Sequence, residues 1–266
     1  MQQQQQQTNK KLITATYAIA KNEKHNIGNF LYYAKDCDYI VILDTGSTDG
    51  TFEALQELAN VNPKLIIKQI IYDDFRFDVA KNDALSLVPE DVDFCLAPDM
   101  DEHFSINTLP YLEYLNSIKY FDNLTCDRLD INSYNVRLGP SKNHPAFNKI
   151  HRRNCYNWKH PVYEYLDFTP NYRKEILEYS SEIFLIHNQK EKPREDLYVK
   201  LMKKEAELNK NNTWNLFYYL YYLNNVNTKS SNLEFNKYIE FYLENEKLKD
   251  EKYNLLYSAA KQKGFK

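Results

Sequence analysis

The chain has 266 residues, of which 43% are hydrophobic and 15% aromatic, so it is long and apolar enough to bury a full core. Its 37 acidic and 34 basic side chains are mixed along the chain and leave a net charge of -3, which excludes the strongly basic surface of a protein that binds DNA or RNA. These values are typical of a globular protein with one large domain or one domain and an appendage.

The N-terminal segment and the cysteines indicate where the chain resides. Met1 is followed by six glutamines and further polar residues, so the segment lacks the apolar core of a secretory signal peptide. No run approaches the roughly 20 apolar residues that a membrane-spanning helix needs. The four cysteines show no CxxC spacing and are expected to be reduced; they are Cys37, Cys95, Cys126 and Cys155. We therefore expect a cytoplasmic protein without a membrane span, located in the host cytoplasm if the source is a virus.

In the N-terminal part of the chain, continuous apolar runs alternate with amphipathic stretches. The runs predict strands at 12–20, 39–44, 64–72 and 92–97, and apolar residues at helical spacing predict helices at 26–35, 51–60 and 80–87. The run 39–44 is apolar up to its last residue and is therefore expected to be a central strand, buried on both sides. A series in which strands and helices alternate favours a parallel, doubly wound α/β sheet.

The pattern changes twice further along the chain. Residues 120–187 form short strand-like pieces that contain Pro, Asn and aromatic residues. After Pro193, leucines and aromatic residues recur at helical spacing and predict helices that pack on one another. We predict a disordered Gln-rich tail at 1–11, an α/β domain at 12–192 and a helical C-terminal appendage at 193–266. The appendage could pair two subunits in a homodimer or cover the sheet.

In open α/β sheets, ligands bind where the strands end. The second predicted strand ends in LDTGSTDGT, and the loop from Asp44 to Thr51 holds two of the chain's five glycines. Glycine allows positive φ and lets backbone amides approach a ligand. An ordinary turn in which Asp49 or Ser47 caps the next helix explains part of this pattern. It leaves Asp44 unexplained, a carboxylate at a position where a nucleobase or ribose could bind.

The fourth predicted strand ends in LAPDMDEHF, where Asp99, Asp101 and Glu102 directly follow an apolar run. On a turning loop, Asp99 and Asp101 can face one ligand. Their oxygen donors suit Mn²⁺ or Mg²⁺, and such a metal would bridge a diphosphate. The alternative is a solvated acidic loop, but acids directly after a buried strand favour the metal site.

Five motifs stand in an order and at spacings that resemble the family 2 glycosyltransferases of the GT-A fold. They are AIAKNEKHNIGNFL, DYIVILDTGSTDGT, DDFRFDVAKNDAL, FCLAPDMDEHF and HRRNCYNWKHPVYEYL. Within that family, the chain most resembles the branch related to lipopolysaccharide core glucosyltransferases, some of whose members carry a helical repeat tail. The resemblance covers about residues 12–200, and the second and fourth motifs together make it specific.

The resemblance implies a GT-A fold, with a doubly wound, mostly parallel sheet, and an inverting, metal-dependent enzyme. The reaction would move a hexose from a nucleotide sugar to an acceptor hydroxyl. A UDP-sugar is the expected donor, and Mn²⁺ or Mg²⁺ is the expected cofactor. The acceptor would be a glycan, a lipid-linked molecule or a protein, and no nucleic-acid polymer is expected as a partner.

The resemblance also implies roles for the residues that match at the nucleotide. Asn22 and Glu23 would line the nucleotide pocket, and Asp44 would contact the uracil ring. Lys81 stands where the family usually has arginine, and it is followed by the Asn82 of the same motif. A lysine can contact the nucleotide, but it cannot offer the bidentate grip of arginine.

At the metal and the reacting hydroxyl, the implied residues are acids and one histidine. Asp99 would hold the ribose, or the metal through water, and Asp101 would ligate the metal. His187 would contact the metal or the diphosphate, unless it is a buried, hydrogen-bonded histidine. Glu164 is the candidate general base, which takes the proton of the acceptor hydroxyl. It matches the glutamate of a His-Glu pair in the family, and Tyr163 replaces that histidine.

Two other functions remain open from the sequence. A sugar nucleotidyltransferase shares the fold class, but it would need a basic, glycine-rich loop after the first strand, and the stretch AIAKNEKHN has no glycine. A catalytically degenerate transferase fold could serve as a binding or scaffold module, with the helical appendage making the contacts. The acids at 44, 99 and 101 count against the scaffold, whereas Lys81 and Tyr163 leave room for it.

Overall fold

The computed structural model describes residues 11–117, 125–135, 139–140, 147–169, 174–187, 195–226, 228–245 and 251–263. The chain divides into two compact units. The first comprises Met1–Phe75, Val79–Lys159 and Tyr165–Lys190, and the second comprises Arg76–Asp78, His160–Glu164 and Glu191–Lys266. Apart from Lys11, the predicted Gln-rich tail at 1–11 lies outside the described residues.

The N-terminal strands and helices follow the predicted order, and their ends differ from the prediction by a few residues. They are β1 (Thr14–Ala20), α1 (Ile27–Ala34), β2 (Tyr39–Asp44), α2 (Thr51–Ala59), β3 (Leu65–Gln69), α3 (Phe77–Ser86) and β4 (Phe94–Leu96). The elements that follow are β5 (Glu102–Phe104), α4 (Thr108–Ser117), β6 (Thr125–Asn135), β7 (Gly139–Pro140), β8 (Phe147–Arg152), β9 (Tyr156–Lys159), β10 (Tyr165–Phe168) and β11 (Lys174–His187). A single 3₁₀ turn at Lys24–Asn26 leads into α1.

The main sheet has the strand order β3-β2-β1-β4-β8-β6-β11-β5, and β7 pairs with β6. β1 to β4 are parallel to one another, and β6 and β11 run in the same direction, whereas β8 and β5 run antiparallel to their neighbours. A separate two-stranded sheet joins β9 and β10. The sheet is therefore mostly parallel, and the predicted α/β class is confirmed. The crossover from β3 to β4 passes β1, so the strand order reverses between β1 and β4.

Helices pack on both faces of this sheet because the strands are apolar on both faces. In β2, Ile40 and Ile42 belong to the cluster of buried residues that includes α1 and α2. Val41 and Leu43 belong instead to the cluster that includes Ala84 of α3. The four side chains in β2 are at most 1% exposed, as expected for a central strand of a parallel sheet.

In the second unit, the described residues after 194 form four helices. They are α5 (Glu195–Leu208), α6 (Thr213–Val226), α7 (Lys229–Asn245) and α8 (Glu251–Gln262). Their buried side chains include Leu220, Phe235, Ile239 and Leu256, each with 0% exposure. The C-terminal region is thus helical, as predicted, and its Tyr-rich stretch contributes Tyr219 to the core. The boundaries predicted at 12–192 and 193–266 stay a prediction.

The cysteines correct one expectation from the sequence. Cys37 and Cys95 are free and buried, as expected, and burial raises the pKa of each thiol to about 12. Cys155 is disulfide-bonded, so the expectation that all four thiols are reduced was wrong. Spacing along the chain does not reveal which strands become neighbours, and Cys155 follows a strand inserted between β4 and β6. The side chain of Cys126 lies outside the part described.

No helix among the described residues is long and apolar enough to cross a membrane.

Candidate active site

The candidate site lies at the carboxyl ends of β1, β2 and β4, beside the point where the strand order reverses. In doubly wound sheets, ligands bind at this point because the loops on either side of it leave a crevice. Three loops at this edge carry four of the predicted residues, Asn22, Glu23, Asp99 and Asp101. We call them the β1 loop (21–26), the β2 loop (45–50) and the acidic loop (97–101).

The β1 loop and the β2 loop are joined by hydrogen bonds between backbone and side chains. The Asn22 backbone N–H donates to Ser47 Oγ at 2.8 Å, and the Thr48 N–H donates to Asn22 Oδ1 at 2.7 Å. The Glu23 N–H donates to Thr51 Oγ1 at 2.9 Å. Asn22 adopts φ 59°, a left-handed conformation that asparagine tolerates better than most residues. Asn22 and Glu23 therefore lie at the predicted edge of the sheet, where they fix the two loops to each other.

Asp44 is fully buried at the end of β2 and organises the β2 loop. Its Oδ1 atom accepts the backbone N–H groups of Gly46 and Ser47, each at 2.9 Å, and the side-chain amide of Gln69 at 2.8 Å. Its Oδ2 atom has no hydrogen-bond partner among the described residues. A buried carboxylate oxygen without a donor is unfavourable, so Asp44 can accept an N–H group of a ligand once the loop admits it.

The β2 loop also receives a cation that the sequence analysis missed. Lys21 follows β1 directly, and its ammonium donates to the backbone oxygens of Thr45, at 3.2 Å, and Gly46. Gly46 has φ +92°, and a Cβ atom on it would lie 3.3 Å from the Lys21 ammonium and from Ile71 Cγ1. The close approach explains why this position of the loop is a glycine.

In the acidic loop, Asp99 lies between two lysines. Lys81 Nζ is 3.1 Å from Asp99 Oδ1, and Lys149 Nζ is 2.9 Å from Asp99 Oδ2. Lys149, on β8, also contacts Glu102 Oε2 at 2.5 Å, and Glu102 accepts the Asp99 backbone N–H at 2.8 Å. Lys81, Lys149 and Glu102 are buried, whereas the Asp99 side chain is 44% exposed. The cluster therefore holds two carboxylates and two ammonium groups in one contact network.

The lysines determine the protonation of these acids. Burial by itself would raise the pKa of Asp99, but the Lys149 and Lys81 ammonium groups outweigh it and hold that pKa well below its usual range. Burial raises the pKa of Glu102, although Lys149 opposes that shift. Burial would lower the pKa of Lys149, but Asp99 and Glu102 raise it above its ordinary value. Asp99 is thus an anion whose charge the lysines compensate.

Asp101 and His187 form a second pair at the same edge. His187 Nε2 lies 2.9 Å from Asp101 Oδ2, and the two side chains are 31% and 29% exposed. The pairing of β5 with β11 places His187 opposite Glu102, one residue after Asp101. The hydrogen bond to Asp101 raises the pKa of His187 above its ordinary value. The predicted late histidine and the predicted metal ligand are therefore brought together, and β5 was not predicted.

The donor set of this pair fits a divalent cation that shares its coordination with a substrate. Among the residues that the structure describes, no group of three or more His, Cys, Asp or Glu side chains could enclose a metal. Asp101 and His187 supply one oxygen and one nitrogen, and Mg²⁺ and Mn²⁺ sites commonly take their remaining ligands from phosphate oxygens and water. Both Asp99 oxygens contact ammonium groups, so Asp99 is better placed to hold the lysines than the ion.

Asn82, predicted to contact the nucleotide, is placed between two elements of the fold. Its Nδ2 group donates to the Trp158 carbonyl at 2.9 Å, and its Oδ1 atom accepts the Trp158 N–H at 2.8 Å. Trp158 is 3% exposed, its indole N–H donates to the Tyr17 hydroxyl at 2.7 Å, and Lys81 lies 4.6 Å from its ring centroid. Asn82 thus fixes β9 to α3, and Trp158 supports Lys81.

Glu164, the candidate base, belongs to the second unit. The residue before it, Tyr163, has φ 52° and is 46% exposed. Two side chains of α6 hold Tyr163: the Trp214 indole N–H donates to its carbonyl at 3.1 Å, and its ring stacks on Tyr218 with centroids 4.2 Å apart. A left-handed tyrosine is uncommon and persists only when its surroundings impose it. The helices of the second unit therefore fix the backbone next to Glu164.

The sequence analysis did not identify Lys149, because no motif in the neighbouring sequence indicates a role in the site. It stands in FNKIHR, where a lysine in a strand is ordinarily a solvent-facing residue. Only the pairing of β8 with β4 directs it to the acids that follow β4.

No protein family matches the sequence, and no curated protein matches it. The structure is similar to several solved structures. One is TarS 1–349 of S. aureus, with 15% identity and a TM-score of 0.47 over 88% of this chain and 70% of that chain. TarS 1–349 in complex with UDP-GlcNAc matches with 14% identity and a TM-score of 0.46, over 88% and 71%. The mannosyltransferase PcManGT from Pyrobaculum calidifontis, in complex with GDP-Man and Mn²⁺, matches with 14% identity and a TM-score of 0.47, over 73% and 62%. These likenesses are remote.

Proposed function

We propose that this protein is an inverting, metal-dependent glycosyltransferase that moves a hexose from a UDP-sugar to an acceptor hydroxyl. The observation that carries the proposal is the arrangement at the carboxyl edge of the sheet. Three features meet there: the Asp101–His187 pair, the two lysines that contact Asp99, and an oxygen of Asp44 that has no hydrogen-bond partner among the described residues. The motifs that resemble family 2 glycosyltransferases support the same reaction.

Each part of a UDP-sugar has a matching group on this edge. Asp44 Oδ2 receives no hydrogen bond from the part of the chain that the structure describes, and the ring N–H of uracil could donate one to it. The Lys81 and Lys149 ammonium groups offset the charges of Asp99 and Glu102, so the acidic loop, where the diphosphate is proposed to bind, is not left with their two uncompensated negative charges. Asp101 and His187 would hold Mn²⁺ or Mg²⁺, which would compensate the negative charge of the departing diphosphate.

The chain's own residues would act as follows in this reaction. Lys81 and Lys149 keep Asp99 ionised and in place, so the acidic loop keeps one conformation as the donor binds. The β1 loop and the β2 loop, joined through Asn22, form one wall for the nucleotide. Glu164 would take the proton of the acceptor hydroxyl as its oxygen attacks the anomeric carbon. The acceptor oxygen would displace UDP directly, without a covalent intermediate between sugar and protein. The configuration at the anomeric carbon would therefore be inverted.

Calorimetric titration of UDP into the purified protein tests the donor site. With Mn²⁺ we expect saturable binding that EDTA removes, and Asp101→Ala should weaken it by about tenfold or more, because one of two protein ligands is lost. Asp36→Ala, which removes an exposed aspartate two residues after the end of α1, is the matched control and should bind as the wild type does. If UDP, GDP and CDP all fail to bind in the presence of Mn²⁺, the transferase proposal is wrong, and a binding or scaffold module takes its place.

A further inference from the structure

The buried residues on one face of the sheet form two separate clusters. The first, which we call the α1 cluster, comprises Ala18, Ala20, Ile27, Phe30, Ala34, Ile40, Ile42, Leu55, Leu65 and Met100. The second, which we call the α4 cluster, comprises Leu12, Cys37, Phe94, Leu96, Phe104, Leu112, Leu115, Ile150, Ile183 and Leu185. The two clusters lie side by side on the sheet, because β1 of the first is paired with β4 of the second.

A cavity of about 420 Å³ lies between these clusters. Phe30 and Ala34 of the α1 cluster line one side, and Leu96, Phe104 and Leu112 of the α4 cluster line the other. Protein interiors are close-packed and contain few voids larger than a water molecule. The volume falls instead within the roughly 300–1,000 Å³ of small-molecule sites.

The sequence of β1 explains why side chains do not fill the space between the two clusters. Thr14 and Thr16 line the cavity and are 5% and 2% exposed. Alternate residues of a strand share a face, and on this face β1 continues with Ala18 and Ala20. Four small side chains in a row cannot fill the space between α1 and α4, where leucine or isoleucine at the same positions would.

The chemistry of the lining selects the ligand. Apolar side chains from both clusters line the cavity together with six charged residues, which are Lys11, Lys35, Asp36, Asp38, Glu102 and Glu113. Lys11 pairs with Asp38 at 2.9 Å, and the Lys35 ammonium lies 4.2 Å from the centroid of the Tyr32 ring. Glu102 is paired with Lys149, and Asp36 is exposed to solvent. With two ammonium groups against four carboxylates, the lining gives no net attraction for a phosphate or a carboxylate.

Aromatic side chains frame the entrance. The Tyr33 ring stacks on His103, with centroids 3.7 Å apart and an angle of 15° between the planes. Tyr32 is 59% exposed and Ile106 80% exposed, so apolar surface continues from the interior to solvent. Flat apolar molecules pack well against such rings because offset stacking and edge contacts add to the burial of area.

We propose that this cavity binds an uncharged, apolar small molecule that carries an aromatic ring. The site is distinct from the proposed nucleotide site, because neither Asp44 nor the Asp101–His187 pair lines it. Its wall does include Pro98, which precedes Asp99, and Glu102, which follows Asp101. A ligand in the cavity would therefore contact the segment that carries Asp99 and Asp101.

Fluorescence titration with 1-aminoanthracene, a neutral aromatic probe, tests the proposal on the full chain. We expect saturable binding with one probe per chain and a rise in Tm with probe concentration. Thr16→Leu fills the cavity from the sheet, and Ala34→Leu fills it from α1. Each should weaken probe binding by about tenfold or more, because a filled pocket forfeits the burial of the ring.

Three controls distinguish binding in the cavity from surface binding, from unfolding of a variant and from binding at the nucleotide site. Val61→Ala removes exposed apolar surface outside the cavity, since Val61 is 79% exposed, and it should leave probe binding unchanged. Circular dichroism and a cooperative thermal transition establish that at least one filling variant folds. UDP with Mn²⁺ should not displace the probe, and failure of UDP to bind at all would count against the proposed function alone. The inference is overturned if the probe does not bind, if a folded filling variant binds it as tightly as the wild type, or if UDP displaces it.

Discussion

The β1 and β2 loops and the acidic loop occupy the same edge of the sheet but are held by different forces. Backbone N–H groups and short polar side chains join the first two, as in the contacts of Asn22 with Ser47 and Thr48. The acidic loop is held by buried charges, with Lys149 between Asp99 and Glu102. Neutral hydrogen bonds are worth about 1 kcal/mol each, whereas loss of one partner from a buried ion pair costs several times more. The acidic loop is therefore the more vulnerable of the two regions.

The largest effect is expected from Lys149→Met, which removes one cation from between two carboxylates. We expect the free energy of unfolding to fall by about 3–5 kcal/mol at neutral pH, because Glu102 is left buried without its counterion. Guanidinium denaturation measures it. Lys68→Met, on an exposed lysine of β3, is the matched control and should change stability little. A loss below about 1 kcal/mol for Lys149→Met would show that the buried charges do not hold this loop.

The same variant should show a characteristic pH dependence. Burial raises the pKa of Glu102 in the folded protein. A carboxyl group whose pKa is higher in the folded state takes up a proton on folding, so folding becomes more favourable as the pH falls toward the unfolded pKa. The loss of stability in Lys149→Met should therefore shrink between about pH 7 and pH 5. A difference from the wild type that stays constant over this range would contradict a charged Glu102.

Asn82→Ala distinguishes a structural role from the nucleotide contact that the motif suggests. Two hydrogen bonds to the Trp158 backbone are lost, so the free energy of unfolding should fall by about 2 kcal/mol. UDP affinity, measured by calorimetry on the folded variant, should stay close to that of the wild type. Asn82→Asp, which keeps the acceptor and loses the donor, should fall between the two in stability. Unchanged stability together with lost UDP binding would instead establish the nucleotide contact.

Asp49→Ala tests the hydrogen-bonded loops with a smaller expected effect. Asp49 accepts the backbone N–H groups of Thr51 at 3.0 Å and Lys24 at 3.3 Å, so it satisfies the first N–H of α2, whose N-cap is Gly50, and joins two loops. We expect a loss of about 1 kcal/mol in urea denaturation. Burial by itself would raise the pKa of Asp49, but the hydrogen bonds from Thr51 and Lys24 together outweigh it and lower that pKa. The stability from Asp49 is therefore present above the unfolded pKa and is lost as the pH falls through the lower, folded pKa. Asp49→Asn should be less stable than the wild type at neutral pH and should approach it only well below about pH 4, where the wild-type carboxylate is protonated in the folded state as well.

A pair of glycine substitutions gives the smallest effects, of opposite sign. Gly50 has φ +86°, and a Cβ atom there would lie 2.9 Å from Lys24 Nζ, so Gly50→Ala should cost about 1 kcal/mol. Gly28 lies in α1, where a Cβ atom would have no neighbour within 4 Å. Gly28→Ala should therefore raise the free energy of unfolding by about 0.5–1 kcal/mol, because alanine loses less backbone freedom in a helix. Thermal unfolding of both variants in the same buffer measures the two changes. A change in stability of the same sign in both variants would contradict the prediction.

Features that depend on neighbouring residues could be predicted from the sequence, whereas features that depend on contacts between distant residues could not. Strands and helices up to residue 97 were readable because each has its own apolar period, as the uninterrupted run in β2 illustrates. The turn chemistry of Asp49 was readable too, since an aspartate before a helix is a local signal. β5 was not, because three residues with an acid at the start become a strand only by pairing with β11.

Within the site, the structure brings some of the predicted residues together and gives others contacts that the sequence did not indicate. Asp101 and His187 meet although 86 positions separate them, and the implied metal role of the pair stays a prediction. Asn82 lies on the expected helix, but its amide bonds to Trp158, a contact 76 positions away that no local pattern encodes. Lys149 reaches Asp99 from 50 positions away, and strand pairing alone determines that distance.

The position of Lys149 has a consequence for any attempt to divide this chain. A fragment that ends with α4 at Ser117 would contain the β1, β2 and acidic loops, yet it would lack β8 and β11, the partners of β4 and β5. Such a fragment would expose the edge of β4 and leave Asp99 and Glu102 with half of their counterions. Transplanting the N-terminal strands into a related scaffold would therefore succeed only if the recipient supplies a lysine at the matching position of its own antiparallel strand.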